Sequence, residues 1–487
     1  MAENSGSEQR MGDTDALMWG IEKDPLLRST IVSVLLFEGP IDHGRLADKV
    51  ERATFAIPRL RQRVVTNGFS IGPPRWETDA HFDLRYHLRF VGASGARTLA
   101  EVLDIARPEA MSSFDSARPL WQMLVVDDMA GGKSAVVVKL HHTITDGIGG
   151  VKLGMHLFDL EPSPPPAAEP LPEAPPARVF RQWERVFDAW NHEQRRNLEL
   201  AARLVPAGAA SLAQLASAPG ATVRRAGEMA ASLGRLLAPA NRPLSPVMTG
   251  RSLGVDLDTL SLSLPDTKAA AKAVGVRLND VFIAGVVGGL RRYHDAHGSA
   301  PEGLRMGMPI SLRPPAPRGN ASPGGDPPPD RSSAGAPEAG TGGNQFVPLR
   351  FVVPLQIEDP IARMHEISRL VAQQRAEPAL GLVDALSLVT RKLPQAAQIG
   401  VLGGMLRTVD FVTSNVPGVP VPLYLGGAKM EAQYPFGPRS GAAVNVTLLS
   451  YLDRLFIGVN SDPAAVADQP RLMACLRDGF DEVLKIA

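Results

Sequence analysis

The stretch that most limits what this chain can fold into is Ser134-Ala135-Val136-Val137-Val138-Lys139-Leu140 running straight into His141-His142-Thr143-Ile144-Thr145-Asp146-Gly147. The β-branched run predicts a buried strand, and the paired histidines stand where that strand leaves the core. Asp146-Gly147 then turns the chain into an apolar-periodic segment, 148–160, that predicts a helix with Asp146 as its N-cap. A histidine beside a buried strand is most often a hydrogen-bonded core residue. Two adjacent histidines with an Asp-Gly at fixed distance are more specific. A metal site fits poorly, because the spacing is not His-Glu-x-x-His and no Cys or third His stands beside the pair. Acid–base work suits the site better, since imidazole titrates close to neutral pH.

At 487 residues the chain exceeds one ordinary core and fits two domains of about 150–250 residues each. Lys+Arg and Asp+Glu both number 51, so nothing in the overall charge favours nucleic acid, and contact with an anionic membrane would need a local patch. The single cysteine, Cys475, excludes an internal disulfide; it lies in an amphipathic pattern that reads as packing. No basic-then-apolar leader opens the sequence and no apolar run approaches the ~18–20 residues of a membrane span. The expectation is a cytoplasmic protein that touches membrane only from its surface.

Along residues 1–160, a short helix near Asp15, a strand at 29–37 and a helix at 42–57 with Leu46, Val50 and Ala53 on one face are expected. The arginines of 58–65 read as a solvated edge sooner than as an entrance for CoA, and 74–88 as a strand carrying a structural His87. A helix at 103–111 precedes Pro119-Leu120-Trp121, which opens a hairpin (120–127 with 134–140) delivering the histidines to the domain edge. Residues 161–245 form a linker and helical bridge. Its Pro-rich start is extended, and 179–190 carries Phe180, Trp183, Phe187 and Trp190 at helical spacing, flanked by Arg178, Arg181, Arg185, Arg195 and Arg196. That stripe reads either as core or as an interfacial helix with arginines at lipid headgroups. A further Ala-rich helix is expected at 223–237. Residues 246–487 make the second domain, with 314–343 as an inserted loop. Asn279-Asp280 opens the apolar helix 281–293 and reads as its cap. A strand at 306–313 ends in Arg313. Thr413-Ser414-Asn415 follows a strand at 408–412, where its hydroxyl and amide groups could serve an oxyanion or only the turn.

Taken together, His-His-x-x-x-Asp-Gly, Pro-Leu-Trp, Asn-Asp and Ser414-Asn415-Val416-Pro417-Gly418 resemble, in order, the motifs of the bacterial wax ester synthase/acyl-CoA:diacylglycerol acyltransferase family. The first motif alone is also similar to peptide-synthetase condensation domains and plant-type alcohol acyltransferases; the later blocks favour the lipid family. The resemblance implies an α/β fold of two chloramphenicol acetyltransferase-like domains, each a mixed sheet flanked by helices, with a tunnel at their interface. It implies acyl-CoA as donor and diacylglycerol or a long-chain alcohol as acceptor, without cofactor or metal. By the same resemblance His142 is the general base, His141, Asp146 and Gly147 support the motif, and Asn279, Ser414 and Asn415 are oxyanion or substrate candidates. Asp146 would pair with Arg305 or Arg313. A condensation-type transfer to another alcohol or an amine, and a non-catalytic lipid-surface scaffold, are the alternatives.

Overall fold

The computed structural model describes residues 10–66, 72–92, 97–144, 147–165, 170–173, 180–217, 242–311, 346–377 and 395–487, with isolated residues between 220 and 240 and at 390. Asp146, Arg178, Arg313, the 314–343 insertion and most of the 223–237 helix lie outside them.

Strand β1 (Thr30–Phe37) is the centre of the first half. Its neighbours are β6 (Lys133–His141) on one side and β12 (Ala428–Phe436) on the other, both antiparallel. With β5 (Trp121–Met129), β4 (Leu88–Val91) and β11 (Tyr424–Leu425) they form a six-stranded mixed sheet in the order β11-β12-β1-β6-β5-β4. Helix α2 (His43–Ala56) packs through Leu46, Val50 and Ala53, the face its periodicity predicts, and Asp42 caps its first turn. Helix α4 (Leu99–Met111) starts at a Thr98/Glu101 capping box.

A second six-stranded mixed sheet has the order β7 (Asp256–Ser263), β14 (Arg454–Ser461), β13 (Val444–Tyr451), β10 (Phe411–Val416), β8 (Gly303–Ser311), β9 (Phe346–Pro354). Helices α7 (Leu264–Val274), α8 (Leu278–Ala296), α9 (Pro360–Arg375) and α10 (Gln469–Leu484) cover it. Cys475 on α10 is buried in that core, and burial raises its thiol pKa. Mixed sheets with flanking helices in two lobes are the expected fold class.

The lobes are interlocked, because β12 comes from the C-terminal half yet completes the first sheet. Where β12 crosses the second sheet the backbones nearly touch: a Cβ on Gly458 of β14 would collide with the Pro435 carbonyl oxygen. Glycine is required there for close approach. Gly418 meets the Ser450 carbonyl in the same way.

Three local readings are corrected. Residues 74–88 are not one strand: β3 (Arg75–Thr78), paired with β2 (Gln62–Val65), ends at Thr78, and Leu84–His87 is a single helical turn, α3, started by Asp83. Arg61 is buried instead of solvated, its guanidinium 3.9 Å from the Phe55 ring centroid and 4.5 Å from that of Phe82. Strand β10 begins at Phe411, so Ser414 and Asn415 lie within it and not on a turn after it.

Candidate active site

The paired histidines occupy different environments. His141 ends β6, is fully buried, and has Trp19 of α1 (Asp13–Ile21) at 5.4 Å and Phe114 at 5.9 Å, both edge-on. Its Nδ1 accepts the Thr143 backbone N–H at 3.1 Å and contacts Thr143 Oγ1 at 2.7 Å; its Nε2 meets the Glu22 carboxylate. His142 is half-buried. Its backbone N–H donates to the Ser29 carbonyl at 2.9 Å, while Ile144 N–H donates to His141 C=O at 3.0 Å. The residues on either side of His142 are thus tied to each other, and His142 sits on the turn between them. Gly147 opens helix α5 (Gly147–Leu157).

The Pro-Leu-Trp block supports the same strand end. Leu120 C=O accepts the His141 N–H at 3.0 Å, and the Trp121 indole donates to Leu60 C=O at 2.8 Å. Trp121 also stacks on His87 at 4.6 Å, and Phe82 covers the other side of that imidazole at 5.1 Å. His87 is fully buried with Nδ1 2.7 Å from the Trp121 carbonyl, which makes it a packing residue; burial pushes its pKa down. Lys139, two residues before His141, is buried as well, 2.7 Å from Ser112 Oγ and over the Phe114 ring; its pKa is lowered by burial.

In the second lobe Asn279 and Asn415 come together: Asn415 Nδ2 donates to Asn279 Oδ1 at 3.3 Å. The cap of α8 falls to the neighbouring residue, since Asp280 accepts the Arg277 N–H at 3.0 Å. Asn279 is therefore not used as the cap. Ser414 alternates with Asn415 along β10 and so projects to the opposite face of the sheet. The Arg305 guanidinium lies on the carbonyls of Arg242 and Thr408.

Residues 11–282 match the model of the wax ester synthase/diacylglycerol acyltransferase catalytic domain, and residues 342–484 that of the WS/DGAT C-terminal domain. The chain belongs to this family. It is an acyltransferase. A Mycobacterium tuberculosis H37Rv protein provisionally named a diacylglycerol O-acyltransferase is 35% identical, across 100% of this chain and 94% of the relative. Another M. tuberculosis H37Rv protein with the same provisional name is 28% identical over 98% of both. Among solved structures, the wax ester synthase/diacylglycerol acyltransferase of Marinobacter aquaeolei VT8 superposes with a TM-score of 0.61 at 20% identity, covering 97% of this chain and 98% of that one. The first condensation domain of the calcium-dependent antibiotic synthetase superposes with a TM-score of 0.60 at 17% identity, covering 98% and 95%. At such identities the likeness is one of fold.

Within this WS/DGAT chain, Glu22, Ser29 and Thr143 are the site-forming residues that sequence reasoning did not single out. Glu22 is 119 positions from its partner His141, so no local pattern could signal the contact. Thr143 could have been found, as a hydroxyl residue two positions after a histidine.

Proposed function

We propose that this WS/DGAT chain moves a fatty acyl group from acyl-CoA to the hydroxyl of a hydrophobic alcohol, diacylglycerol or a long-chain alcohol, with His142 as general base. The observation that carries this reading is the presentation of His142 on a turn fixed on both sides, while its neighbour His141 is locked into the core. His142 takes the hydroxyl proton as the alcohol oxygen attacks the thioester carbonyl. The tetrahedral oxyanion is held by amide donors, for which Asn279 and Asn415 are the candidates, with Ser414 reserved to the opposite face. The C–S bond then breaks, CoA leaves as thiolate, and His142 returns the proton to it. A positioned base is worth about 10²–10⁴-fold. The thioester is already activated, so the scheme uses no further cofactor.

The acceptor is water-insoluble, and no single helix among the described residues is long and apolar enough to cross a membrane. The chain then meets its acceptor at a membrane or lipid-inclusion surface through helix α6 (Gln182–Ser217). This helix is turned inside out. Its polar side docks on the first lobe: Arg185 pairs with Glu77 at 3.0 and 2.8 Å, Arg196 with Asp13, and Asp188 with Arg10 and Arg75. Trp183, Phe187 and Trp190 face outward at 64%, 59% and 51% exposure. Phe180 departs from the stripe and covers Arg75. Arg185 and Arg196 hold the helix to the protein, and do not serve as headgroup contacts.

The test is a product assay with pure protein, labelled oleoyl-CoA and a panel of diacylglycerol, hexadecanol and a long-chain amine. Labelled ester from at least one alcohol supports the reading. Amide as the sole product, or CoA release without any acylated product, would overturn it.

A further inference from the structure

The hydrogen bonds around His141 admit only one neutral form of its ring. A neutral imidazole has one donor and one acceptor nitrogen. Thr143 brings a backbone N–H, which can only donate, to Nδ1 at 3.1 Å. Nδ1 is therefore the acceptor, the proton sits on Nε2, and Nε2–H donates to the Glu22 carboxylate. Glu22 follows the last residue of α1, and the same helix lays Trp19 edge-on against the ring. The carboxylate accepts only, so it disfavours the alternative tautomer, whose Nδ1–H would point at the Thr143 N–H. In that form the Thr143 N–H loses its acceptor, and the bridge from His141 to Thr143 that spans His142 is left to the Thr143 Oγ1 contact alone.

We infer that Glu22 is a positioning residue for acyl transfer, acting through the tautomer of His141 to hold the 141–144 turn that presents His142. The inference rests on the assignment of His142 as base. Glu22 bonds the neighbour of the base, His141, and in this scheme does not meet substrate. Its effect falls on kcat, because a displaced base loses its transition-state contact while donor binding is unchanged.

The experiment compares Glu22→Ala and Glu22→Gln in the full chain, by steady-state kinetics, melting and 15N spectra of protein labelled at histidine. In Glu22→Gln the new amide oxygen can still accept from Nε2–H, so this variant keeps the shape and retains more of the tautomer. Expected are a kcat loss of about tenfold or more in Glu22→Ala, a smaller loss in Glu22→Gln and an oleoyl-CoA KM within about twofold of the parent, all below the loss expected for the base itself. The His141 signals, assigned by their disappearance in His141→Asn, should pass from one pyrrole-type and one pyridine-type nitrogen to exchange-averaged values. Parental kcat in folded Glu22→Ala overturns the inference, as does a kcat loss with unchanged His141 nitrogens. Should Glu22→Ala not fold, the same two readouts on Glu22→Gln decide. An inactive His142→Ala beside fully active Glu22 variants would sink this inference alone; a fully active His142→Ala would sink the reading beneath it.

Discussion

Asn415 of β10 and Asn279 of α8 are joined side chain to side chain at 3.3 Å, tying the end of a central strand to the first turn of the most buried helix of its lobe. With Asp280 serving as the cap, the pair has no task in helix initiation. If it binds the oxyanion, Asn279→Ala and Asn415→Ala should each lower kcat by about 10²-fold with little change in melting, as removal of an oxyanion donor does. If it only ties strand to helix, each loss is about 1 kcal/mol of stability with near-parental kcat. Kinetics and thermal melts on the two variants separate these outcomes.

Acid should weaken the fold through its buried histidines. Burial lowers the folded-state pKa of His87 and of His294, whose Nδ1 lies 2.7 Å from Leu290 C=O. The unfolded chain therefore binds their protons first as pH falls. The stabilising contribution is intact above the unfolded value of about 6.5 and is lost as pH drops from there toward the lower folded values. Melting temperature should fall between about pH 6.5 and 5. His87→Phe, which keeps the stack on Phe82 and Trp121 but loses the bond to the Trp121 carbonyl, should melt lower at pH 7.5 and show a shallower acid slope. An unchanged slope would mean that His87 takes up its proton as readily in the fold as in the unfolded chain.

The outward face of α6 should bind lipid. Trp183→Ser with Trp190→Ser should abolish flotation with anionic liposomes and leave melting within about a degree, because exposed side chains carry little stability. Flotation retained alongside a large drop in melting would identify the stripe as core.

Much of this was legible in the chain, and the boundary between what was and was not has physical causes. Helix α2 and the β5–β6 hairpin could be read because apolar spacing and turn residues are local signals. The entry of β12 into the first sheet could not, since a pairing such as Val34 with Tyr434 leaves no trace within either segment. The spacing of Trp183, Phe187 and Trp190 was readable, but which side of α6 docks is decided by Asp13 and Glu77, far away in sequence. His87 misled because alternation across a one-turn helix and the strand after it imitates one longer strand. At the site, the motif gave the two histidines, while their division into a locked and a presented residue depends on Glu22, Ser29 and Thr143.

Removal of the alcohol proton by His142 is tested by the turnover of purified His142→Ala with labelled oleoyl-CoA and the best alcohol of the panel, beside its melting curve. A general base contributes about 10²–10⁴-fold, so turnover should fall by at least about a hundredfold in a protein that melts like the parent. Turnover within about threefold of the parent in an equally stable His142→Ala would mean that His142 is not the base.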